Sequence, residues 1–399
     1  MNKKLFEIIC AKEENNAKEA ASILINKGDL SEFKLLCEKM DYLFDFVKNN
    51  VYKRISYAVN KDNFKNLIKF YDYYSPYFDD FFAEILTEYA NEDLTDEILE
   101  IFSKGSDSQK AYAASYFRKI PDTVAIDELR KNLNTEFEPL FENCASALGK
   151  MNDSDSFKKY LSLLNSDDDF IKLKAVKFLI FYGNKNVAED IINAMNNSTM
   201  SENIAGEITQ LISPIELIEK KYNDGILLIN NLINGLGEIL PLENIFIYEI
   251  YEITNYFINN PKSPEAAIIL FNLKNKFEIL TQNDEYIFDL NKEIKNEISE
   301  IKKLIFSKKE DFWNNEKLLL NQSININNPL LHTVLEIIKN NGFKEFLPKI
   351  IMLTKSDEEI IIYEAISTIK VLGGLINIDK TKINFKNPNL KASFEQMFI

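Results

Sequence analysis

Two sets of charged residues recur at intervals of 31 positions, and they are the strongest candidates in the sequence for a polar binding surface. One set is Asp127, Lys158 and Glu189, and the other is Glu128, Lys159 and Asp190. If the chain is a stack of repeats of this length, the sets form two adjacent columns of alternating charge, which a partner protein could bind. The favoured alternative is solvated ion pairs between successive repeats, each worth about 0–1 kcal/mol. The two interpretations are compatible.

Other polar residues show no pattern typical of catalysis or metal binding. Asp167, Asp168 and Asp169 lack the alternating spacing of a calcium loop, and carboxylates in such a position favour the start of a helix. The sole histidine, His332, has no obvious nucleophile or acid beside it in the sequence. No phosphate-binding, dinucleotide-binding or hydrolase motif occurs. We therefore predict a protein that is not an enzyme, with no catalytic residue and no cofactor.

The cysteines and the N-terminus predict the compartment. Cys10, Cys37 and Cys144 are too far apart in the sequence to show the usual spacing of a four-ligand zinc site with one histidine. This spacing favours free thiols in a reducing environment. A lipoprotein signal is disfavoured because Glu7 interrupts the apolar run before Cys10. No uncharged apolar stretch reaches the roughly 18 residues of a membrane span. We predict a cytoplasmic protein that binds no membrane and no metal.

The 31-residue interval also relates apolar residues between positions 107 and 197. The matching triplets are Ala113, Cys144 and Ala175; Phe117, Leu148 and Leu179; Leu129, Tyr160 and Ile191; and Leu133, Leu164 and Met195. Between the two halves of each unit stands Asp122, Asp153 or Asn184, a residue able to cap a following helix. Periods of about 20–50 residues with two amphipathic segments are typical of stacked helix pairs. We predict an all-α fold, an α-solenoid (superhelix) of antiparallel helix pairs.

The strength of the repeat divides the sequence into four segments. Residues 1–104 are expected to form divergent helical repeats, and residues 105–309 a repeat array whose register drifts after about residue 198. The Asn-rich residues 310–329 are expected to form a loop or junction. Residues 330–399 are expected to form further repeats and a cap, because Gly342 and Gly373 each follow a helical pattern at the same interval.

The segments Asn143–Gly149 and Glu364–Gly373 resemble HEAT-like repeats of the armadillo-type superfamily. The short bacterial form found in phycobilin-lyase-type proteins is similar in period and in its A-x-x-x-L-G first helix. The resemblance is strong across residues 107–197 and 332–375. It implies an α-solenoid and, usually, a protein-binding scaffold, and it is not specific to any one activity.

Charge and family resemblance together narrow the function. The chain has 62 acidic and 47 basic residues and a net charge of −15, which disfavours nucleic acid and anionic lipid as partners. The leading hypothesis is a non-enzymatic interaction scaffold or adaptor whose partner is another protein or peptide. The alternative is a lyase-like protein that handles a small molecule or pigment, which requires a deep pocket with clustered polar side chains that the sequence does not reveal. DNA binding, as in the HEAT-like alkylpurine glycosylases, is less favoured.

Overall fold

The computed structural model describes residues 7–9, 14–27, 45–64, 66, 88–237, 239–240, 242, 244–261, 263–280, 290–379, 381 and 383–398. These residues form α-helices and short 3-10 helices, and the only β-type pairing among them is an isolated bridge between Leu236 and Leu240. The chain divides into two compact units, residues 1–187 and 188–399. The predicted all-α fold is confirmed. The predicted division at residues 104, 309 and 329 stays a prediction.

The described residues of the first unit form α-helices. They are α1 (Glu14–Lys27), α2 (Asp45–Ala58), α3 (Thr95–Lys104), α4 (Asp107–Lys119), α5 (Ile126–Asn132), α6 (Glu138–Lys150), α7 (Ser154–Leu163) and α8 (Asp169–Tyr182). Three-residue 3-10 helices lie at Glu92–Leu94, Thr123–Ala125 and Lys185–Val187. From α4 onward long and short helices alternate, and the long helices α4, α6 and α8 pack on one another in chain order. Much of residues 1–104, including Cys10 and Cys37, lies outside the described residues.

The 31-residue interval is visible as a repeated set of buried side chains. Ala113, Cys144 and Ala175 lie in α4, α6 and α8, and each is fully buried. Small side chains at these positions let the long helices approach closely and pack at interior density. Leu148 and Leu179, one turn further on, are also fully buried. The predicted core positions of the array are therefore confirmed.

The ends of the helices follow the same interval. Asn152 (φ 53°) and Gly183 (φ 84°) follow α6 and α8 in left-handed backbone, which asparagine and glycine tolerate best. Asp153 then begins α7, because its side chain accepts a hydrogen bond from a backbone N–H of the first turn. Asp168 caps α8 in the same way, so the Asp167–Asp169 run is a helix start, as predicted.

The described residues of the second unit also form α-helices. They are α9 (Ala188–Asn196), α10 (Ser201–Ile208), α11 (Pro214–Lys220), α12 (Tyr222–Gly235), α13 (Asn244–Asn259), α14 (Pro264–Leu280), α15 (Lys292–Phe306), α16 (Glu310–Leu320), α17 (Leu331–Asn341), α18 (Leu347–Leu353), α19 (Glu359–Val371) and α20 (Pro388–Gln396). Helices α12, α14, α17 and α19 pack in this order. Gly342 and Gly373 have φ values of 64° and 79° and end the helical segments before them, as predicted.

The prediction of a loop over the Asn-rich residues 310–329 is wrong for its first half. Residues Glu310–Leu320 form α16, and a 3-10 helix follows at Asn321–Ser323. Helix α16 is stabilised by α14, because the ring centroids of Trp313 and Phe271 lie 5.2 Å apart. Tertiary packing therefore overrides the low helix propensity of asparagine, and the loop is confined to residues 324–330.

Candidate functional site

The charged columns predicted for the first unit are not joined by ion pairs. Asp127 and Glu128 lie in α5, and Lys158 and Lys159 lie in α7. Among the described residues, Glu128 pairs instead with Lys131 of its own helix, with Nζ 2.5 Å from Oε1. The side chains of Asp127, Lys158 and Lys159 are exposed. Among the described residues, no ion pair therefore joins Asp127 or Glu128 to Lys158 or Lys159.

The remaining two residues of the columns belong to the second unit. Glu189 and Asp190 are both exposed in α9. Glu189 Oε1 lies 2.7 Å from Lys221 Nζ, at the junction of α11 and α12. A partner-binding role for the six column residues stays a prediction.

Successive repeats of the first unit are joined by Arg130, which the sequence patterns do not single out. Its Nε donates to Asp153 Oδ2 at 3.0 Å, and its terminal nitrogen donates to Asp155 Oδ2 at 3.0 Å. Asp153 is 6% exposed. Burial by itself raises the pKa of Asp153, but hydrogen bonds from Arg130 and Ser156, with the guanidinium charge, outweigh burial and lower it. This contact holds α5 against α7 and is structural.

The second unit contains an open polar cleft of about 370 Å³ between its long helices. Its amide side chains are Asn234 of α12, Asn272 and Asn275 of α14, and Asn340 of α17. Its charged or titratable side chains are Glu202 of α10, Lys276 of α14, and His332 and Glu336 of α17. We call this site the amide cleft. Clustered polar groups in a concave site are typical of ligand-binding pockets.

A chain of hydrogen bonds fixes the amide cleft. Asn230 Nδ2 donates to Thr333 Oγ1 at 3.0 Å, which ties α12 to α17. Asn272 Nδ2 donates to the side-chain oxygens of both Asn230 and Asn234, at 3.1 and 2.8 Å, which ties α14 to α12. Lys276 Nζ donates to the backbone oxygen of Asn234 at 2.9 Å. The network orients three helices and therefore presents the cleft as a preorganised surface.

Several groups of the same network have no hydrogen-bond partner among the described residues. Asn275 Oδ1 accepts from Asn341 Nδ2 at 2.9 Å, so its own amide nitrogen points elsewhere. Within the described residues, the Nδ2 groups of Asn234 and Asn275 donate to no side chain, and Asn272 Oδ1 accepts from none. A ligand in the amide cleft therefore meets both donors and acceptors.

The sole histidine acquires a partner that the sequence does not suggest. His332 Nδ1 lies 2.7 Å from Oε1 of Glu364, one helix further along the stack. This hydrogen bond raises the pKa of His332 above its ordinary value, against the opposing effect of partial burial. His332 lines the amide cleft, so the cleft has a titratable group at its edge.

Two further features are absent from the part of the chain that the structure describes. No helix there combines the length and apolarity needed to cross a bilayer. No group of three or more His, Cys, Asp or Glu side chains converges there to hold a metal ion.

Comparisons with known proteins give structural likenesses only. No protein-family model matches the chain, and no curated protein matches it. A crystal structure of an engineered protein is 12% identical, with 93% of this chain and 98% of that chain covered and a TM-score of 0.22. The karyopherin Kap121p bound to the SUMO protease Ulp1p is 10% identical, with 94% of this chain covered and a TM-score of 0.29.

A microtubule polymerase with TOG domain arrays, studied for tubulin recruitment, is 10% identical, with 98% of this chain and 99% of that chain covered and a TM-score of 0.20. The chain spans just under half of the karyopherin, 46% of its length. Likenesses with these identities and TM-scores assign neither a family nor a partner to this chain.

Proposed function

We propose that the chain is a non-enzymatic interaction scaffold that binds an extended peptide segment of another protein in the amide cleft. The observation that carries this proposal is the hydrogen-bonded asparagine network, in which some donors and acceptors bond to no side chain that the structure describes. The HEAT-like resemblance of Asn143–Gly149 and Glu364–Gly373 supports the same class of function.

The chemistry of asparagine explains why a peptide fits. A carboxamide carries an N–H donor and a C=O acceptor in the same plane, and a peptide group carries the complementary pair. The bound backbone of an extended segment has unpaired groups of both kinds, which it would otherwise expose to water. Because the network already orders Asn234 and Asn272, little side-chain entropy is lost on binding.

The charged columns of the first unit are proposed to orient the partner. Asp127 presents negative charge, Glu128 adds to it although Lys131 pairs with it, and Lys158 and Lys159 present positive charge. A partner with the complementary order of charges would bind in one direction. Glu189 and Asp190 extend the same proposal to the second unit. Neutralising Lys158 and Lys159 together should slow association and reduce its salt dependence. Unchanged association by a correctly folded variant would contradict this role of the columns.

The amide cleft is tested with peptides selected on the full chain from a random display library. Replacing Asn340→Ala and Asn234→Ala together should weaken the selected peptides by roughly tenfold or more, since each removes a partner of the bound backbone. Asn193→Ala, an exposed asparagine of α9, is the matched control and should bind as the wild type does. If no peptide is enriched, or if both variants bind equally, the proposal is wrong.

A second candidate function is supported by the same cleft. Handling of a small polar molecule or pigment, as in lyase-like HEAT proteins, requires a deep pocket with clustered polar side chains. The amide cleft supplies the polar side chains in a concave but open site. Native mass spectrometry of chain purified from its own cells tests this alternative: a retained small molecule that Asn340→Ala loses would favour it over peptide binding.

We further propose that the chain is not an enzyme, uses no cofactor and is cytoplasmic. Nucleic acid is also excluded from the proposed partners, because the net charge of −15 opposes a phosphate backbone. A salt-dependent mobility shift of duplex DNA at low micromolar protein would contradict that exclusion.

A further inference from the structure

His332 and Glu364 fix the hydrogen-bonding state of one edge of the amide cleft. Nδ1 lies 2.7 Å from the carboxylate oxygen Oε1. An ionised carboxylate can only accept, so Nδ1 carries the proton in this contact, and the neutral imidazole leaves Nε2 as an acceptor. Protonation puts a hydrogen on Nε2 and turns the same atom into a cationic donor. A single proton therefore reverses what His332 offers to a ligand.

The charged groups that act on this imidazole or line the amide cleft with it come from four helices. They are Glu336 and Lys339 of α17, Glu364 of α19, Lys276 of α14 and Glu202 of α10. Glu336 and Lys339 pair with each other, and Glu364 is committed to the imidazole. The asparagine amides of the cleft do not titrate. The hydrogen bond that His332 donates to Glu364 raises the pKa of the imidazole above its ordinary value.

We propose that His332 makes peptide binding in the amide cleft depend on pH: the neutral imidazole accepts a hydrogen bond from a backbone N–H of the peptide, and protonation releases the segment. This inference rests on the proposed function. When Nε2 gains a hydrogen, it becomes a donor that faces the N–H donor of the peptide. Neither N–H group then has an acceptor. Asn234 and Asn275 already present hydrogen-bond donors to the cleft, and Asn272 presents an acceptor. Protonation of His332 adds a further donor and removes an acceptor.

The tautomer is measured without any ligand, because His332 is the only histidine of the chain. Nitrogen-15 NMR of the full chain should show, for the neutral ring, a protonated Nδ1 and a bare Nε2. A neutral ring with its proton on Nε2 would overturn the proposal. Glu364→Gln should lower the titration midpoint of this ring, since the charged acceptor is gone.

The binding measurement uses a peptide selected from the random library at about pH 9. Its affinity for the wild type should fall roughly 10- to 100-fold between about pH 9 and about pH 6. Glu364→Gln should move the midpoint of this fall to lower pH, and His332→Gln should abolish the fall. Glu395→Gln, an exposed carboxyl of α20, is the matched control and should keep the wild-type profile.

The outcomes separate this inference from the function on which it rests. A wild-type affinity that does not change with pH, or an unchanged profile in His332→Gln, overturns the inference and leaves peptide binding intact. A library that yields no cleft-dependent peptide overturns both. The contribution of His332 to folding has the opposite pH dependence to binding. The raised pKa of the imidazole stabilises the fold below about pH 6.5, and this stabilisation is lost as pH rises. Binding is instead lost as pH falls.

Discussion

Arg130 and Asp153 join the short helices of two successive repeats, with Nε 3.0 Å from Oδ2. The same carboxylate accepts a hydrogen bond from the backbone N–H of Ser156 and so begins α7. One buried side chain is thus both a helix cap and an ion-pair partner. Its exposed neighbour Asp155 contacts the same guanidinium without capping any helix.

The first prediction separates these two carboxylates. Asp153→Ala should lower the free energy of unfolding by roughly 1–3 kcal/mol, because it removes the cap and leaves Arg130 with one partner. Asp155→Ala should cost less than about 1 kcal/mol, since that side chain is 75% exposed. Urea denaturation followed by circular dichroism measures both. Equal losses in the free energy of unfolding would show that the burial and capping role of Asp153 add nothing to stability.

The second prediction concerns acid. Asp153→Asn keeps a good capping residue but removes the charge. The pKa of Asp153 is lowered in the folded chain, so its charge stabilises the fold above about pH 4 and this contribution is lost as pH falls through the folded pKa. The wild type should therefore be more stable than the variant at about pH 7, and the difference should shrink toward about pH 3. A difference that grows in acid would contradict the assignment.

The third prediction concerns a carboxyl buried without a partner. Glu316 of α16 is 2% exposed, and its Oε2 has no hydrogen-bond partner among the described residues. Burial raises its pKa to about 7. Because the folded pKa lies above the unfolded value of about 4.3, stability falls as pH rises between these values. Glu316→Gln should raise the free energy of unfolding at about pH 8 by up to about 3 kcal/mol.

The measurement for Glu316 uses the fluorescence of Trp313, the only tryptophan, which lies in the same helix. The gain from Glu316→Gln should be small at about pH 4, where the wild-type carboxyl is protonated in both states. Glu310→Gln is the control, since that carboxyl is exposed at the start of α16. A variant no more stable than the wild type at about pH 8 would mean that a water or cation satisfies Glu316.

The fourth prediction compares two glycines with different roles. A Cβ at Gly149 would lie 2.1 Å from the carbonyl oxygen of Tyr182, so α6 can meet the end of α8 only without a side chain there. A Cβ at Gly342 would meet nothing within 4 Å, and only its positive φ resists substitution. Gly149→Ala should cost about 3 kcal/mol or more, and Gly342→Ala about 1 kcal/mol. Equal costs in urea denaturation would rule out the close approach as the reason for Gly149.

Sequence patterns predict those features whose causes lie within one repeat. The cap at Asp153 and the glycine ends at Gly342 and Gly373 depend on neighbours a few residues away, and all three are confirmed. The helix at Glu310–Leu320 is missed because its stabilising contact, Trp313 with Phe271, joins residues 42 positions apart.

The amide cleft lies beyond sequence patterns for the same reason. Asn230 and Thr333 are 103 positions apart, and nothing local indicates that they meet. The one available signal is the presence of Asn230, Asn231 and Asn234 inside the otherwise apolar stretch from Gly225 to Gly237. Asparagines in such a stretch need buried partners, so they point to a polar network before its geometry is known.

The span of the Asn230–Thr333 hydrogen bond also sets an order of events during synthesis. Helix α12 leaves the ribosome about a hundred residues before α17, and until then its buried amide has no Thr333 to bond. At common elongation rates this interval lasts roughly 5–20 seconds, far longer than a helix needs to form. The second unit therefore cannot complete its centre co-translationally until residue 333 emerges, and a truncation before α17 should leave α12 and α14 exposed to chaperones.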